Sequence, residues 1–350
     1  MKVLINCPVP FMLAHGGAQI QIEQTAAALK HNGMEVDFVR WWDGGQQADL
    51  IHYWGRMPTD HIRLAHQKGI KVIMGELLTA QGSRPPGQLR LQKIISRCVE
   101  RLAPGNFATA FNWESYRLAD AFIAMTPWEK HLMNYMFGAP LENIFIVPNG
   151  IEEIFLTAPK LERGRWLVCT ATITPRKRVL ELAQAAVLAQ TPLWIIGRAY
   201  AESDPYAQQF YALAQQHPQW ICTDSPPFHD RAGLVKIYRA ARGFVLLSAM
   251  ETRSLAAEEA AACECPLLLS DLPWARSTFE KGATYCPITK AVETTAKALR
   301  TFYDAAPNLP LPPRPPTWDE IGRQLKTIYE HVLNLKLKAE TRDSLNTRTA

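Results

Sequence analysis

The sequence predicts an α/β fold in two units, each built on a parallel, doubly wound sheet. Two observations carry this. Short apolar runs, without polar alternation, recur between amphipathic stretches; such runs mark strands buried on both faces. The alternation stops at Pro148-Asn149-Gly150 and then begins again, and a chain of 350 residues has room for two domains. The composition, 47% hydrophobic and 20% charged, is that of a globular chain with a sizeable core.

The first unit is set at residues 1–150. It opens with a strand from Lys2 to Cys7. Pro8 and Pro10 break the apolar run, so a buried strand is expected there and not a signal segment. A turn at Gly16-Gly17 leads into a helix over 18–31, with Ile22, Ala26 and Leu29 on its apolar face and Gly33 as its stop. Strands follow at 35–39, 49–53 and 71–74, with a helix over 61–67, and strands at 121–125 and 143–147 complete the unit. The second unit, 151–306, has strands at 166–170, 193–197, 219–223, 243–247 and 266–270 and helices at 179–189, 231–241 and 256–262. Pro307 to Pro316 is too rich in proline for a helix or a central strand. Trp318 to Leu335 reads as one amphipathic helix with Ile321, Leu325, Ile328 and Val332 on a face, and 336–350 as a flexible polar tail.

Some functions are disfavoured at this stage. The net charge of +5 suits phosphate-bearing ligands, but no basic stretch with interleaved aromatics points to nucleic acid. No run of 18 apolar residues predicts a transmembrane helix. Seven scattered cysteines are expected to be free thiols, which places the chain in the cytoplasm.

Three segments carry chemistry. His15-Gly16-Gly17-Ala18-Gln19 follows the first strand and opens a helix, where glycines let backbone N–H groups approach an anion; a tight turn without a ligand fits equally. Thr174-Pro175-Arg176-Lys177-Arg178 puts three cations at the carboxyl edge of the second sheet, where open α/β folds bind ligands and where a diphosphate would find its counter-charge. A solvated basic turn is the plainer alternative. In the third, the strand ending at Leu247 gives way to a polar loop with Glu251, and a helix from about Leu255 carries Glu258 and Glu259 in its first turns. Loop and helix N–H groups there suit phosphate, and a carboxylate farther along suits ribose hydroxyls. Carboxylates that merely stabilise a helix N-terminus would explain Glu258 well and the loop residue Glu251 less well.

The third segment resembles the retaining family 4 glycosyltransferases. Their signature is a pair of glutamates separated by seven residues, and Glu251 and Glu259 have that spacing, followed by Ala260-Ala261-Ala262-Cys263-Glu264-Cys265-Pro266. The resemblance extends to Gly16-Gly17, to Pro148-Asn149-Gly150 at the family's linker, to Pro175-Arg176-Lys177, to the strand ending at Gly197, and to the helix from Trp318. It implies a glycosyltransferase-B fold: two Rossmann-like domains facing across a cleft, with the last helix crossing back to the first domain. It also implies a nucleotide-diphosphate sugar bound between them. Glu259 would hold the ribose. Gly16, Gly17, Arg176, Lys177, Gly197, Arg253, Ser254 and Leu255 would line the donor, and Glu251 with Lys177 would act in catalysis. No metal and no other cofactor is implied, and the chain has no Asp-x-Asp motif. The sequence departs from the family at Thr172, at Thr252-Arg253-Ser254, at Glu264, and at Glu76, which stands where a histidine is common.

On the acceptor side the candidates are Glu76, Trp54 and Trp113, with Trp41 and Trp42 nearby; the acceptor would be a glycan, a lipid-linked sugar or a small molecule. His52 reads as a packed histidine rather than a base. Arg84 to Arg101 is basic and amphipathic; a solvated helix face is the first reading and peripheral contact with an anionic membrane the second. Two other functions are weighed against transfer: a degenerate relative that binds nucleotide or glycan without catalysis, and an NAD-dependent enzyme, against which the lack of a G-x-G-x-x-G fingerprint argues.

Overall fold

The structure, a computed structural model, describes residues 1–7, 16–102, 113–224, 226 and 230–346, with backbone alone from 335 onward. The described residues divide into two compact units, one of Met1–Gly150 with the chain from Pro316 onward, the other of Ile151–Pro315.

The first unit runs β1 (Lys2–Asn6), α1 (Gly17–His31), β2 (Glu35–Phe38), β3 (Leu50–Trp54), α2 (Thr59–Gln67), β4 (Lys71–Gly75), α3 (Thr79–Gly82), α4 (Pro86–Leu102), α5 (Ser115–Leu118), β5 (Ala121–Ala124), α6 (Pro127–Phe137) and β6 (Ile144–Ile146). All pairs are parallel and the order is β2-β1-β3-β4-β5-β6. Leu50, Ile51, Val72, Ile73, Met74 and Phe122 are buried, which is why these segments read as unbroken apolar runs. Helix α6, which periodicity misses, is fixed by its ends. Thr126 accepts from Glu129 N at 3.1 Å, Pro127 sits in the first turn, and Gly138 closes the helix at φ 75°.

The second unit runs α7 (Glu153–Thr157), β7 (Leu167–Thr170), α8 (Val179–Leu188), β8 (Leu193–Ile196), α9 (Pro205–Gln216), β9 (Ile221–Cys222), α10 (Arg231–Ala240), β10 (Gly243–Leu246), α11 (Leu255–Ala262), β11 (Leu267–Ser270), α12 (Pro273–Phe279), β12 (Thr284–Cys286) and α13 (Val292–Ala305). The order is β12-β11-β10-β7-β8-β9, again all parallel. The fold is therefore two Rossmann-like α/β units. The strand expected at 219–223 is only Ile221–Cys222, and α7, α9, α12, β12 and α13 are additions to the sequence reading. The proline-rich stretch packs on the second unit: a Cβ on Gly282 would lie 2.7 Å from Pro313.

The chain then returns to the first unit as α14 (Trp318–Asn346). Thr317 and Glu320 cap it reciprocally: Glu320 N donates to Thr317 Oγ1 at 3.2 Å, and Thr317 N donates to Glu320 Oε2 at 2.6 Å. Helix α14 packs closely on α1. A Cβ on Gly322 would lie 2.7 Å from the Ala28 carbonyl oxygen, and Lys326 Nζ donates to the Asn32 carbonyl at 3.1 Å. The helix continues to Asn346, beyond the end expected at Leu335, so much of the expected tail is helical backbone. All seven cysteines are free.

Candidate active site

Strands β7 and β10 are neighbours, with Leu167 opposite Gly243 and Val168 opposite Phe244. Beyond them the chain builds outward both ways, through β8 and β9 on one side and β11 and β12 on the other. The sheet thus changes winding direction between β7 and β10. Loops leaving two parallel strands at such a point diverge and open a crevice at the carboxyl edge. The basic segment at 174–178 leaves β7 and the Glu251 loop leaves β10, so topology puts the two charged segments at this point.

Hydrogen bonds hold them together. Ala249 N donates to the Arg176 carbonyl at 2.8 Å, and Arg176 Nη1 donates to the Met250 carbonyl at 3.0 Å. Lys177 Nζ pairs with Glu251 Oε1, and Arg176 Nη1 stands 3.3 Å from the same oxygen. The Glu251 side chain is 8% exposed, Lys177 14% and Arg176 41%, so only Arg176 presents a largely open cation. Arg178 has another task. It takes a left-handed turn (φ 54°) into α8, and its Nη2 donates to the Thr289 carbonyl at 2.5 Å.

Gly197 directly follows β8, the neighbour of β7. A Cβ there would lie 2.0 Å from the Ala171 carbonyl oxygen, so the loop after β8 closes on the loop after β7 only with glycine at this position. Ile173 N donates to the Arg198 carbonyl at 3.1 Å and continues the contact.

Ser254 is the N-cap of α11, its hydroxyl accepting from Ala257 N at 3.3 Å, and Leu255 opens the helix. Arg253 differs from the expectation of a cation held for the phosphates. Its Nε donates to the buried Glu258 carboxylate at 2.6 Å and its Nη2 lies 2.5 Å from the same oxygen. The pair fastens the loop to α11, which also accounts for Glu258.

Glu259, two turns from Glu251 in sequence, faces a network that no local motif announces. Arg231 Nη2 donates to Glu259 Oε1 at 2.5 Å, and Arg231 also binds Glu152 through Nε at 2.6 Å. The Arg231 guanidinium lies 4.7 Å from the centre of the Phe155 ring. Tyr238 OH donates to Thr170 Oγ1 at 2.9 Å and reaches Glu259 Oε2 at 3.5 Å. Thr170 is the last residue of β7, so this network also sits at the carboxyl edge. Burial lifts the Glu259 carboxyl above the usual carboxylate range, and the Arg231 guanidinium opposes the lift. Arg231, Glu152 and Tyr238 are additions to the residues read from the sequence. They are 28, 107 and 21 positions from Glu259, beyond the reach of spacing arguments.

In the first unit, Gly16 is the N-cap of α1 and Gly17 its first residue, and a Cβ on Gly16 would meet no atom within 4 Å. His15 lies outside the described residues. Glu76 leaves β4 and is held by Arg56 in a fork of two 2.9 Å bonds, while Tyr116 OH donates to its Oε2 at 2.6 Å. The Arg56 guanidinium in turn lies 4.7 Å from the Phe137 ring centre. Trp54, expected to offer a sugar-stacking face, instead stacks on His52 with ring centres 3.7 Å apart and is buried. Trp113 packs edge-on against Phe137 at 5.1 Å. His52 is a core residue, as its place in β3 suggested. Its Nδ1 shares a 2.6 Å hydrogen bond with Tyr329 OH, and burial depresses its pKa to about 3. Trp41 and Trp42 are exposed, with Trp41 Nε1 donating to Asn6 Oδ1 at 2.9 Å.

Residues 151–310 match the family model described as "Glycosyl transferases group 1". No curated protein matches the sequence. Among solved structures, the chain resembles sucrose-phosphate synthase from Thermosynechococcus elongatus with a TM-score of 0.59 at 16% identity, over 99% of this chain and 98% of that one. It resembles Anabaena HepE in complex with UDP and glucose with a TM-score of 0.61 at 14% identity, over 98% and 100%. A glycosyltransferase from Rickettsia africae gives 0.60 at 10% identity, over 95% and 98%. At such identities the likeness is one of fold. Residues 151–310, which hold the crevice between the β7 and β10 loops, are thus similar to the group 1 glycosyl transferases, and the chain shares with these structures the glycosyltransferase-B fold of two Rossmann-like units.

Proposed function

We propose that the protein is a retaining, metal-independent glycosyltransferase that moves a sugar from a nucleoside-diphosphate donor to a glycan, lipid-linked or small-molecule acceptor. One observation carries this: Arg176, Lys177 and Glu251 meet at the point where the second sheet changes winding direction. When a sugar leaves a nucleoside diphosphate, negative charge grows on the diphosphate, and cations placed in advance stabilise that charge most. Arg176 and Lys177 are the residues assigned to it, and the backbone N–H groups of Ser254 and Leu255 at the start of α11 would add to them. Arg253, committed to Glu258, leaves the donor set. Glu251 is assigned to the donor sugar, where it also orients Lys177. Glu259 is assigned to the ribose. A carboxylate has about four acceptor sites, so it can take ribose hydroxyls while Arg231 fixes its direction. Gly16 and Gly17, at the N-terminus of α1, are assigned a backbone contact to the donor. Trp54, buried against His52, is not assigned a stacking role, whereas Glu76 and Trp113 stay assigned to the acceptor side. HepE, seen with UDP, makes UDP-sugars the first donors to try.

The test is UDP release from UDP-glucose and related sugars in EDTA, with the product anomer read by NMR. Release unaffected by EDTA and retention of the donor's configuration are expected. Glu251→Gln and Lys177→Met are expected to lower turnover by about 100-fold or more, the cost of removing one transition-state contact. Glu259→Ala is expected to weaken donor binding. Unchanged turnover in all three variants would remove the site from this loop pair. A second reading, binding without transfer, is favoured by the closure of Lys177 on Glu251. Calorimetric binding of UDP-sugars, with no product over a broad acceptor panel, would select it.

A further inference from the structure

Helix α4 is inside out. Its inward side is Leu89, Gln92, Lys93 and Ser96, of which Leu89 and Ser96 are buried. Gln92 accepts from Arg84 Nη1 at 2.5 Å, and Lys93 Nζ lies 3.5 Å from the centre of the Tyr135 ring. Leu91, Ile94, Ile95, Cys98, Val99 and Leu102 recur at helical spacing on the opposite side, and all are exposed: Ile94 by 60% and Leu102 by 85%. A surface helix ordinarily buries such a stripe. Here the chain spends its apolar face on the outside, which reverses the solvated polar face that the sequence first suggested. A contiguous apolar surface of this kind marks contact with a partner or a membrane.

Charge decides between them. At 100° per residue, Arg90, Arg97 and Arg101 fall in one row along a margin of the stripe, and all three are exposed. The one carboxylate on the helix, Glu100, is turned partly inward and lies 3.6 Å from Arg117. The outward surface is thus apolar with a margin of one sign. Arginines can lay their stems along an apolar surface and place their guanidiniums at phosphate level. No described helix is long and apolar enough to cross a membrane.

We propose that α4 is a peripheral membrane-docking helix: it lies in the interface of an anionic bilayer, with Leu91, Ile94, Ile95, Val99 and Leu102 among the acyl chains and Arg90, Arg97 and Arg101 on lipid phosphates. The inference stands on α4 alone and its test needs no catalysis, so it fails or survives independently of the donor site.

The test is co-sedimentation of the full chain with sucrose-loaded vesicles. Vesicles of phosphatidylglycerol and phosphatidylcholine are expected to pellet the protein, with pure phosphatidylcholine retaining at least tenfold less. Ile94→Asp with Ile95→Asp, and separately Arg97→Glu with Arg101→Glu, are each expected to lower binding at least tenfold while circular dichroism is unchanged. These positions are exposed, so neither pair disturbs the core. Raising salt should release the protein. Protein that stays in the supernatant with anionic vesicles at low salt overturns the proposal. So does a dimer, seen by light scattering, that Ile94→Asp with Ile95→Asp dissolves, because the stripe would then be covered by a second copy.

Discussion

His52 shows how much one buried side chain can impose. It sits in the middle of β3, stacked on Trp54 and bonded to Tyr329 of α14. Its folded pKa of about 3 lies well below the ordinary 6.5 because burial penalises the cation. An unfolded imidazole takes up its proton below about pH 6.5 and the folded one does not, so acid favours unfolding. Stability of the first unit is expected to fall as pH drops from about 6.5 toward 3, by at most about 1.4 kcal/mol per pH unit. Urea titrations at pH 7 and pH 5 measure the slope. His52→Gln should flatten it, and an unaltered slope would place the acid sensitivity elsewhere. At this scale the sequence was a partial guide. The spacing of Glu251 and Glu259 found both carboxylates. What each one touches was hidden, because Arg231, itself bound to Glu152, reaches Glu259 from a distant segment. Arg253 misled for the same reason: a loop cation looks free until its partner, Glu258, is placed.

Among the elements, buried parallel strands were legible because they need unbroken apolar residues. Helices at the rim were less so. Helix α6 was readable from Thr126, Pro127, Glu129 and Gly138 rather than from periodicity, and its Glu129 is a buried carboxylate that accepts from Leu78 N at 2.9 Å and Met125 N at 2.7 Å. Helix α4 shows the limit of periodicity: a helical stripe says that one face is apolar, and nothing about whether that face points inward. The contact between the β7 and β8 loops depends on Gly197. Gly197→Ala puts a methyl on the Ala171 carbonyl, and a loss of about 1–3 kcal/mol is expected, the range for overpacking. Thermal melts report it. A variant as stable as the parent would mean that the two loops can separate without cost.

For the molecule as a whole, the restart of the strand pattern after Gly150 announced two units, but the return of α14 to the first one came from the family resemblance and not from pattern. That helix buries Trp318, Ile321, Leu325, Ile328, Tyr329 and Val332. Each such side chain is worth about 1.5–3 kcal/mol, so together they match the roughly 5–15 kcal/mol that holds an entire domain. A chain cut after Pro315 is expected to lose the calorimetric transition of the first unit and keep that of Ile151–Pro315. Two intact transitions would show that the first unit closes without α14.

The same arrangement sets an order in time. Ile151–Pro315 is interposed within the first unit and is synthesised in full before α14. At roughly 5–20 residues per second, the seam on α1 stays uncovered for about 10–40 s after Gly150 is added. The second sheet therefore matures first, and the nascent first unit must be kept from sticking until its closing helix arrives.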